Sequence, residues 1–389
     1  MDAATARLTV SAPCLDLAAS LRDFAPREAL AIAGRLRRAG HDPALVTAAM
    51  TLAELRTEAR PRLGDAADSM VFHRAGLEQA SRVAASSLHG ARFAEAGCTR
   101  VADLTAGLGA DSMALAARGI EVVAFEADEA TAILARHNLA PWPHARVVWG
   151  DSLEAMGDLS VDGVFADPAR RTARGRRHDP ADYSPRLDAV LDLRHEVRAL
   201  GVKAGPGLPH EAIPPDMEAQ WVSIDGDVVE VGLWSGAAAR RAGHAALVLR
   251  GGRSHEISGP TDRAPSGPLG GWLLEPDGAV IRAGLVGVLA EQTGTRLVDP
   301  RIAYLTADER VETPLARTYR VLERWPLDIK ALARELRARD VGTVDIKKRG
   351  VDLTPEQVRP RLKLKGSQRA TVVLTRLEGD HAALLVAPA

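Results

Sequence analysis

Short β-rich runs alternate with helical segments in the middle of the chain, and this alternation constrains the fold more than any other feature. The runs VADL, EVVAFE, ARVVW, VDGVFA and ALGVKA follow one another between residues 101 and 204. Strands that alternate with helices of this length form a parallel sheet with helices on both faces. WVSIDGDVVEVGLW and HAALVLRG then follow without a long helix between them, which predicts an antiparallel hairpin at one edge. The sequence therefore predicts an α/β fold.

The region before this sheet has a helical pattern. Residues 1–95 space their apolar positions three and four apart and show no strand-like alternation. Asp42-Pro43 is typical of a helix start, and Gly40 and Gly97 are typical of positions just past helix ends. We therefore predict a helical N-terminal region.

The region after the sheet predicts two small α+β parts. Residues 251–271 are rich in glycine, serine and proline and predict a linker or loop. Beyond them the pattern predicts a helix at AVIRAGLVGVLAEQTG, a strand at RIAYLTAD, and a helix within YRVLERWPLDIKALARELRARDVG. ATVVLTRLEGDHAALLVAP predicts a hairpin that turns at Glu378-Gly379-Asp380. We therefore predict four parts: residues 1–76, 77–252, 253–320 and 321–389.

Composition limits the classes of protein that this chain can belong to. A length of 389 residues with 46% hydrophobic residues is enough for two or three cores, and a net charge of -1 requires any nucleic-acid surface to be local. The two cysteines, Cys14 and Cys98, are too few for a disulfide framework or an all-cysteine zinc site. No stretch approaches the ~20 apolar residues of a membrane span, and the N-terminus lacks the pattern of a signal peptide. We expect a cytoplasmic protein with no metal and no membrane partner.

Chemistry-bearing residues follow three successive strands. Gly107 and Gly109 lie in DLTAGLGAD, directly after a strand and before a helix, where backbone N–H groups face a ligand; the pair alone equally fits a tight turn. Glu126 ends the second strand and Asp151 follows the third, which suits ribose hydroxyls and an adenine amino group. Each acid alone also fits a solvated strand end or a common turn. Ser112 stands where a dinucleotide fingerprint requires its third glycine, which disfavours a nicotinamide or flavin cofactor.

DLTAGLGAD, AFEAD, WGDS and FADPAR together resemble the class I S-adenosylmethionine-dependent methyltransferases over about Leu77–Gly252. The resemblance implies a Rossmann-like sheet and S-adenosylmethionine as cofactor. It implies that the first loop receives the methionine part, the acid of the second strand the ribose, and the acid after the third strand the adenine. It assigns cofactor binding to Asp103, Thr105, Gly107, Gly109, Asp111, Glu126, Ala127, Asp151 and Ser152.

Two further cofactor residues are predicted in the segment EQAS, which opens a helix before the first strand. This arrangement resembles that of trimethylguanosine synthase-like enzymes. They are Gln79 and Ser81, and the same residues equally fit a helix cap.

Asp167-Pro168-Ala169-Arg170 follows the fourth strand, where N-methylating members of the family carry Asp or Asn, two prolines and an aromatic residue. The resemblance implies that Asp167 orients the acceptor nitrogen and that Pro168 contributes backbone. Because a flat guanidinium can stack on a base, we expect Arg170 or Arg171 to hold base or phosphate. Ala169 and Arg170 depart from the pattern and leave the target atom open. C5 methylation of a pyrimidine requires a nucleophilic cysteine, and neither cysteine lies on a matching motif.

Basic residues occur beside this motif and again near the end of the chain. Five arginines lie within residues 170–177, which predicts phosphate contacts through Arg171 and Arg174 or, alternatively, a solvated charge run. Lys203, after the fifth strand, is predicted to line the same mouth. Residues 341–369 have eight basic and three acidic residues, a local charge of +5, and four of the six lysines of the chain. The candidates there are Lys347, Lys348, Arg349, Lys363 and Lys365.

IKKRGVD and RPRLKLKGSQRATVVLTR resemble the THUMP-like C-terminal domain found beside methyltransferase domains in a bacterial family. EPDGAVIRAGLVGVLAEQTGTRLVDPRIAYLT is similar to the ferredoxin-like module of that family. THUMP domains bind RNA, so the resemblance implies an RNA partner, tRNA or rRNA. A basic face that only keeps the protein soluble is the alternative.

We therefore expect an S-adenosylmethionine-dependent methyltransferase that N-methylates a base in structured RNA. One alternative is the same fold acting on a small molecule or a protein, which predicts activity that survives removal of residues 321–389. Another is a non-catalytic RNA-binding protein, which predicts no binding of S-adenosylmethionine. The oligomeric state stays open.

Overall fold

The computed structural model describes residues 1–22, 26–156, 159–170 and 183–389. The chain forms two compact units. Unit 1 comprises Met1–Ala204, Leu208–Met217 and Gly232–Arg241, and unit 2 comprises Gly205–Gly207, Glu218–Val231 and Ala242–Ala389. The chain therefore passes between the units several times, and neither unit ends at Gly252. The finer division into four domains stays a prediction.

Unit 1 begins with the helical region that the apolar spacing predicts. Its helices are α1 (Ala3–Thr9), α2 (Ala12–Ser20), α3 (Ala29–Arg38), α4 (Pro43–Leu63), α5 (Arg74–Gln79) and α6 (Val83–Glu95). Asp42 caps α4 by accepting from the N–H groups of Ala44 and Leu45, which confirms the predicted start. Gly40 and Gly97 have φ of +91° and +68° just beyond α3 and α6, as expected after helix ends.

The rest of the described part of unit 1 up to Ala204 alternates strands and helices. The elements are β1 (Arg100–Asp103), α7 (Ala110–Ala116), β2 (Glu121–Glu126), α8 (Glu129–Leu139), β3 (Ala145–Trp149), α9 (Ser152–Ala155), β4 (Gly163–Ala166), β5 (Ala169–Arg170), β6 (Tyr183–Ser184), α10 (Leu187–Asp192) and β7 (Ala199–Ala204). Five of the strands pair in parallel in the order β7-β4-β1-β2-β3. This confirms the predicted α/β fold.

The helical region and the α/β part of unit 1 share a hydrophobic core. Leu52 and Leu55 of α4 pack in one cluster with Leu108 after β1 and with Leu134 of α8, and all four side chains are buried. Asn138 of α8 also donates to the carbonyls of Val71 and Leu108 and accepts the N–H of Val71. The helical region is therefore a fixed part of unit 1.

Unit 2 contains two sets of strands. Its elements are β8 (Glu218–Ile224), part of β9 (Asp227–Gly236), β10 (Gly243–Arg250), β11 (Arg253–Gly259), β12 (Trp272–Pro276), α11 (Gly278–Arg282), α12 (Val286–Thr293), β13 (Arg296–Asp299), β14 (Ile302–Ala307), β15 (Ala316–Pro326), α13 (Ile329–Ala338), β16 (Val341–Lys348), α14 (Pro355–Leu362), β17 (Gln368–Leu377) and β18 (Asp380–Pro388). In the first set, β10 pairs with β8 and with β11. In the second set, seven strands form a sheet in the order β13-β14-β12-β15-β18-β17-β16.

Three details of unit 2 differ from the sequence interpretation. β10 pairs in parallel with β8, and its antiparallel partner is β11, which lies in the predicted linker. β11 has a single buried residue, Ile257, so backbone pairing rather than apolar burial defines it, and its composition resembles a loop. The helix predicted within residues 319–342 is present as α13, but it begins only at Ile329; residues 319–326 belong to strand β15 and alternate between the two faces of the sheet.

β15 joins the predicted ferredoxin-like and THUMP-like parts in one sheet. It pairs with β12 on one side and with β18 on the other, across the predicted boundary at residue 320. The hairpin between β17 and β18 turns at Glu378 and Gly379, both with positive φ, as predicted. Among the described helices, none has the length and apolar content to cross a membrane.

Candidate cofactor and target site

A cavity of about 580 Å³ in unit 1 lies where β1, β2 and β4 end. Its volume is within the usual range for small-ligand sites, and ligands of open α/β sheets bind at the carboxyl ends of the strands. Residues predicted for the cofactor or the target contribute much of its lining. They are Gln79, Ser81, Thr105, Gly107, Asp111, Glu126, Ala127, Asp151, Ser152 and Asp167.

The glycine loop after β1 takes a conformation that favours glycine. Gly107 has φ of +53° and Gly109, which precedes α7, has φ of +91°. No heavy atom lies within 4 Å of the position that a Cβ on Gly107 would occupy, so the loop is open at this residue. Gly109 is not part of the lining, and its role in binding stays a prediction.

Glu126 connects the end of β2 to the glycine loop. Its Oε2 accepts from the N–H of Gly107 at 3.0 Å, and its Oε1 accepts from the N–H of Asp128 at 2.8 Å. Burial raises the pKa of Glu126, while these backbone donors act in the opposite direction. A carboxylate at this position has lone pairs left to accept hydroxyl groups of a ligand.

Asp103 lies beneath the loop and not in the cavity wall. Its carboxylate accepts from the N–H of Thr105 at 3.1 Å and from the hydroxyl of Ser112 at 2.5 Å. The side chain is buried, and burial raises its pKa to about 7. Asp103 therefore contacts the loop through Thr105 and the first turn of α7 through Ser112.

Asp111 lines the cavity and is held from two sides. Its Oδ2 accepts from Ser81 Oγ at 2.7 Å, and its Oδ1 lies 2.7 Å from His89 Nδ1. Burial alone would raise its pKa, but the charge and hydrogen bond of His89, with Lys203 and Ser81, lower it to about 2. The cavity therefore has an ionised carboxylate in its wall.

The side chain of Asp151 stabilises the turn between β3 and α9. Its Oδ1 accepts from the N–H groups of Leu153 and Glu154, which makes it the N-cap of α9. Trp149, an exposed residue at the end of β3, donates its indole N–H to the carbonyl of Ala127 at 3.1 Å. Asp151 therefore forms the turn that the sequence analysis gave as one alternative, and this turn is also part of the cavity wall.

Asp167 lies between the glycine loop and β7. Its backbone N–H donates to Thr105 Oγ1, and its Oδ2 accepts from Lys203 Nζ at 2.5 Å. Lys203 also donates to Ser81 Oγ at 2.9 Å. Lys203, which the sequence predicts as a substrate contact, is therefore engaged with two protein side chains.

The remaining target residues divide into three groups. Pro168 is buried and is not part of the cavity wall, whereas the neighbouring Ala169 is. The backbone of Arg170 pairs with Tyr183 between β5 and β6. Arg171 and Arg174 lie outside the described residues.

Sequence reasoning missed His73 in the cavity wall. Its Nδ1 accepts from the N–H of Gly76 at 3.1 Å, so its Nε2 carries the proton toward Thr131 Oγ1, 3.1 Å away. Burial lowers its pKa, which favours this neutral form. A single histidine with no motif around it gave no signal in the sequence.

The wall also includes Ser184, Pro185, Arg186 and Ala189, which follow the arginine run. They adjoin Asp167 through the pairing of β5 with β6. This pairing joins residues about 15 positions apart, and no periodicity or motif in the sequence predicts it.

The basic residues of the C-terminal part fall into two environments. Lys347 forms an ion pair with Glu275 at 2.7 Å, and the Arg349 guanidinium lies over the ring of Tyr304. Lys348, Lys363 and Lys365 are exposed. The roles of all five in substrate binding stay predictions.

Two family models match segments of this chain, and two curated relatives match most of its length. Residues 316–388 match a family model described as THUMP domain-like, and residues 12–59 match a domain of unknown function. Uncharacterized S-adenosylmethionine-dependent methyltransferases from two Mycobacterium tuberculosis strains, CDC 1551 / Oshkosh and ATCC 25618 / H37Rv, are each 36% identical over 282 residues. The match covers 71% of this chain and 77% of each relative.

A crystal structure from Porphyromonas gingivalis W83, assigned provisionally as a methyltransferase, has the same fold. Its TM-score is 0.75 at 24% identity, and the match covers 94% of this chain and 99% of the other.

The cavity fits S-adenosylmethionine, the cofactor of these relatives. The open space at Gly107 leaves room for a ligand against the loop backbone, and Glu126 is a hydroxyl acceptor beside it. The ionised Asp111 suits a cofactor that carries positive charge on its sulfonium and ammonium groups. With two relatives at 36% identity over most of their length, the chain belongs to the S-adenosylmethionine-dependent methyltransferase family.

Proposed function

We propose that this methyltransferase N-methylates a base in structured RNA. The observation that carries the proposal is the THUMP domain-like match over residues 316–388, in the same chain as the methyltransferase cavity. THUMP domains bind RNA, and a module of this kind beside a methyltransferase site favours RNA as the acceptor. The proposal includes a cytoplasmic location, which rests on the cysteine content of the sequence, because two cysteines without a disulfide framework are typical of a reducing compartment.

The exposed charge of the C-terminal part supports contact with phosphates. Within residues 341–369 the exposed cations are Lys348, Arg359, Arg361, Lys363, Lys365 and Arg369. The exposed acidic residues of that stretch are Asp345, Asp352 and Glu356. Leu322 is the one large hydrophobic residue that is exposed among the described residues of unit 2, and it is not aromatic. This surface suits recognition by phosphate contact and RNA shape rather than by stacking of bases.

We propose that one part of the cavity in unit 1 binds the cofactor and another part binds the target base. Gly107, Glu126, Asp111 and Asp151 hold the cofactor, which supplies an activated methyl group when it is bound. Asp167 accepts the N–H of the target base and so turns the nitrogen lone pair toward that methyl group. Because methyl transfer requires an in-line approach, this alignment contributes most of the catalysis.

The test is transfer of a radiolabelled methyl group from S-adenosylmethionine to total RNA, using RNA from a strain that lacks this gene so that the natural site is unmodified. We expect label with the wild type and a loss of at least about 100-fold with Asp167→Ala. The control Asp192→Ala removes an exposed aspartate at the end of α10, and we expect it to label RNA like the wild type.

Total protein and a small-molecule extract from the same strain serve as parallel acceptors. Label in either of these and none in RNA would contradict the proposal and support the alternative substrate class. A protein that binds RNA but shows no binding of S-adenosylmethionine in a titration would contradict it as well.

A further inference from the structure

Five polar side chains from five parts of unit 1 form a continuous series of contacts at the cavity. His89 of α6 contacts Asp111 of α7 at 2.7 Å, and Asp111 accepts from Ser81 Oγ at 2.7 Å. Ser81 accepts from Lys203 Nζ at 2.9 Å, and Lys203 donates to Asp167 Oδ2 at 2.5 Å. The series begins at a histidine that is 1% exposed and ends at the acid that follows β4.

The end of the series fixes the direction of the Asp167 carboxylate. The backbone of Asp167 is held by its N–H bond to Thr105, and this bond does not set the direction of the side chain. The ammonium of Lys203 takes Oδ2 as a partner and so selects one orientation. The side chain of Lys203 is 14% exposed and that of Asp167 is 32% exposed, so bulk solvent screens the pair only in part.

The other contacts of Lys203 show why it does not simply hold substrate. Lys203 is not part of the cavity wall, whereas both of its partners, Ser81 and Asp167, are. Ser81 is itself held by Asp111, so one of the two acceptors of the ammonium is fixed independently of Lys203. A lysine placed in this way acts on the reaction through Asp167.

We propose that Lys203 is a positioning residue that orients the Asp167 carboxylate toward the acceptor nitrogen. This inference rests on the proposed function of Asp167 in methyl transfer. Removal of the ammonium takes away a charged donor to Oδ2 and broadens the range of carboxylate orientations, so fewer bound acceptors have their lone pair in line with the methyl group. The loss then appears in the rate of transfer and not in the binding of either ligand.

The experiment compares Lys203→Met and Lys203→Arg with the wild type, using whichever acceptor the wild type labels. For Lys203→Met we expect kcat to fall on the order of 100-fold, while KM for the acceptor and Kd for S-adenosylmethionine change by less than about 3-fold. Lys203→Arg keeps a donor for Asp167 and should recover at least about 10-fold of this loss. Lys330→Met makes the same change at an exposed lysine of α13 and should leave kcat unchanged.

A second measurement is independent of the acceptor. The urea midpoints of Lys203→Met, Asp167→Asn and the double variant form a double-mutant cycle, which reports whether the two side chains interact. We expect the double variant to lose less than the sum of the two single losses.

Three results would overturn the inference. They are additive midpoint losses in the cycle, a Lys203→Met variant that raises KM with kcat unchanged, and a Lys203→Arg variant as slow as Lys203→Met. Label in protein or in a small molecule instead of RNA would contradict the proposed function while the comparison of Lys203 variants still proceeds on that acceptor.

Discussion

We predict that Asp103→Asn, which replaces a buried carboxylate, stabilises the protein at neutral pH and not in acid. Burial raises the pKa of Asp103 from its ordinary value of 3.8 to about 7. A folded-state pKa above the unfolded value means that the protonated form favours folding, and this stability is lost as pH rises through about 4 to 7. A difference of about 3 pKa units corresponds to about 4 kcal/mol at 1.36 kcal/mol per unit. Asp103→Asn removes this titration.

The net effect of Asp103→Asn is smaller than the full linkage. Ser112 donates to Asp103, and an asparagine amide facing Ser112 requires that hydroxyl to accept instead, at a cost of about 1 kcal/mol. Relative to the wild type, we expect the variant to gain about 3 kcal/mol in the free energy of unfolding at pH 8 and to lose this advantage near pH 4.5. Urea denaturation of both proteins across this range measures the difference.

A matched control has the opposite sign. Asp162 accepts from the N–H groups of Thr99 and Arg100; burial alone would raise its pKa, but these donors lower it. Its contribution to stability is therefore present above pH 4 and lost on acidification, so Asp162→Asn should destabilise the protein at neutral pH. A stability difference for Asp103→Asn that stays constant from pH 4.5 to pH 8 would refute the reasoning, because it would show that Asp103 does not titrate there.

Three further perturbations test packing, a support of the cavity wall and the basic surface. Gly201→Ala should lower the free energy of unfolding by about 1–3 kcal/mol in a urea titration, because a Cβ there would lie 2.5 Å from the ring of Trp234; an unchanged midpoint contradicts this. Arg62→Met removes donors to three carbonyls of residues 77–80 and should speed amide exchange of that segment, measured by mass spectrometry, with Arg38→Met of α3 as control. Replacing Lys363 and Lys365 together with glutamate should weaken RNA binding and reduce the slope of log K against log salt by about 1–2, measured by fluorescence anisotropy; an unchanged slope would remove both residues from the interface.

Much of unit 1 can be predicted from sequence because four of its five parallel strands, β1, β2, β4 and β7, are mostly buried. VVAF in β2 and GVFA in β4 are continuous apolar runs, as strands covered on both faces require. In a parallel sheet the carboxyl ends of all strands lie at the same edge. Acidic residues that end or follow these strands in the sequence are therefore expected to lie close together. That is why Glu126 and Asp167 are found in one cavity wall, as their positions in the sequence indicate.

The contacts that depend on distant partners could not be predicted. Lys347 has the same sequence signal as Lys348, but Glu275 lies 72 residues earlier in the chain and pairs with only one of them. The contact of Lys203 with Asp167 spans 36 residues. The sequence shows how many charged side chains a segment has. Which of them form ion pairs depends on which strands become neighbours in the fold.

The repeated passage of the chain between the two units also has a consequence for synthesis. Unit 1 includes Leu208–Met217 and Gly232–Arg241, so its last segment leaves the ribosome only after stretches of unit 2 have already emerged. The nascent methyltransferase unit therefore stays incomplete until residue 241 is outside the exit tunnel, and the two units fold during overlapping intervals. A stop codon after Ala204 would leave unit 1 without two of its segments, so exchange of one unit between relatives requires several junctions and not one.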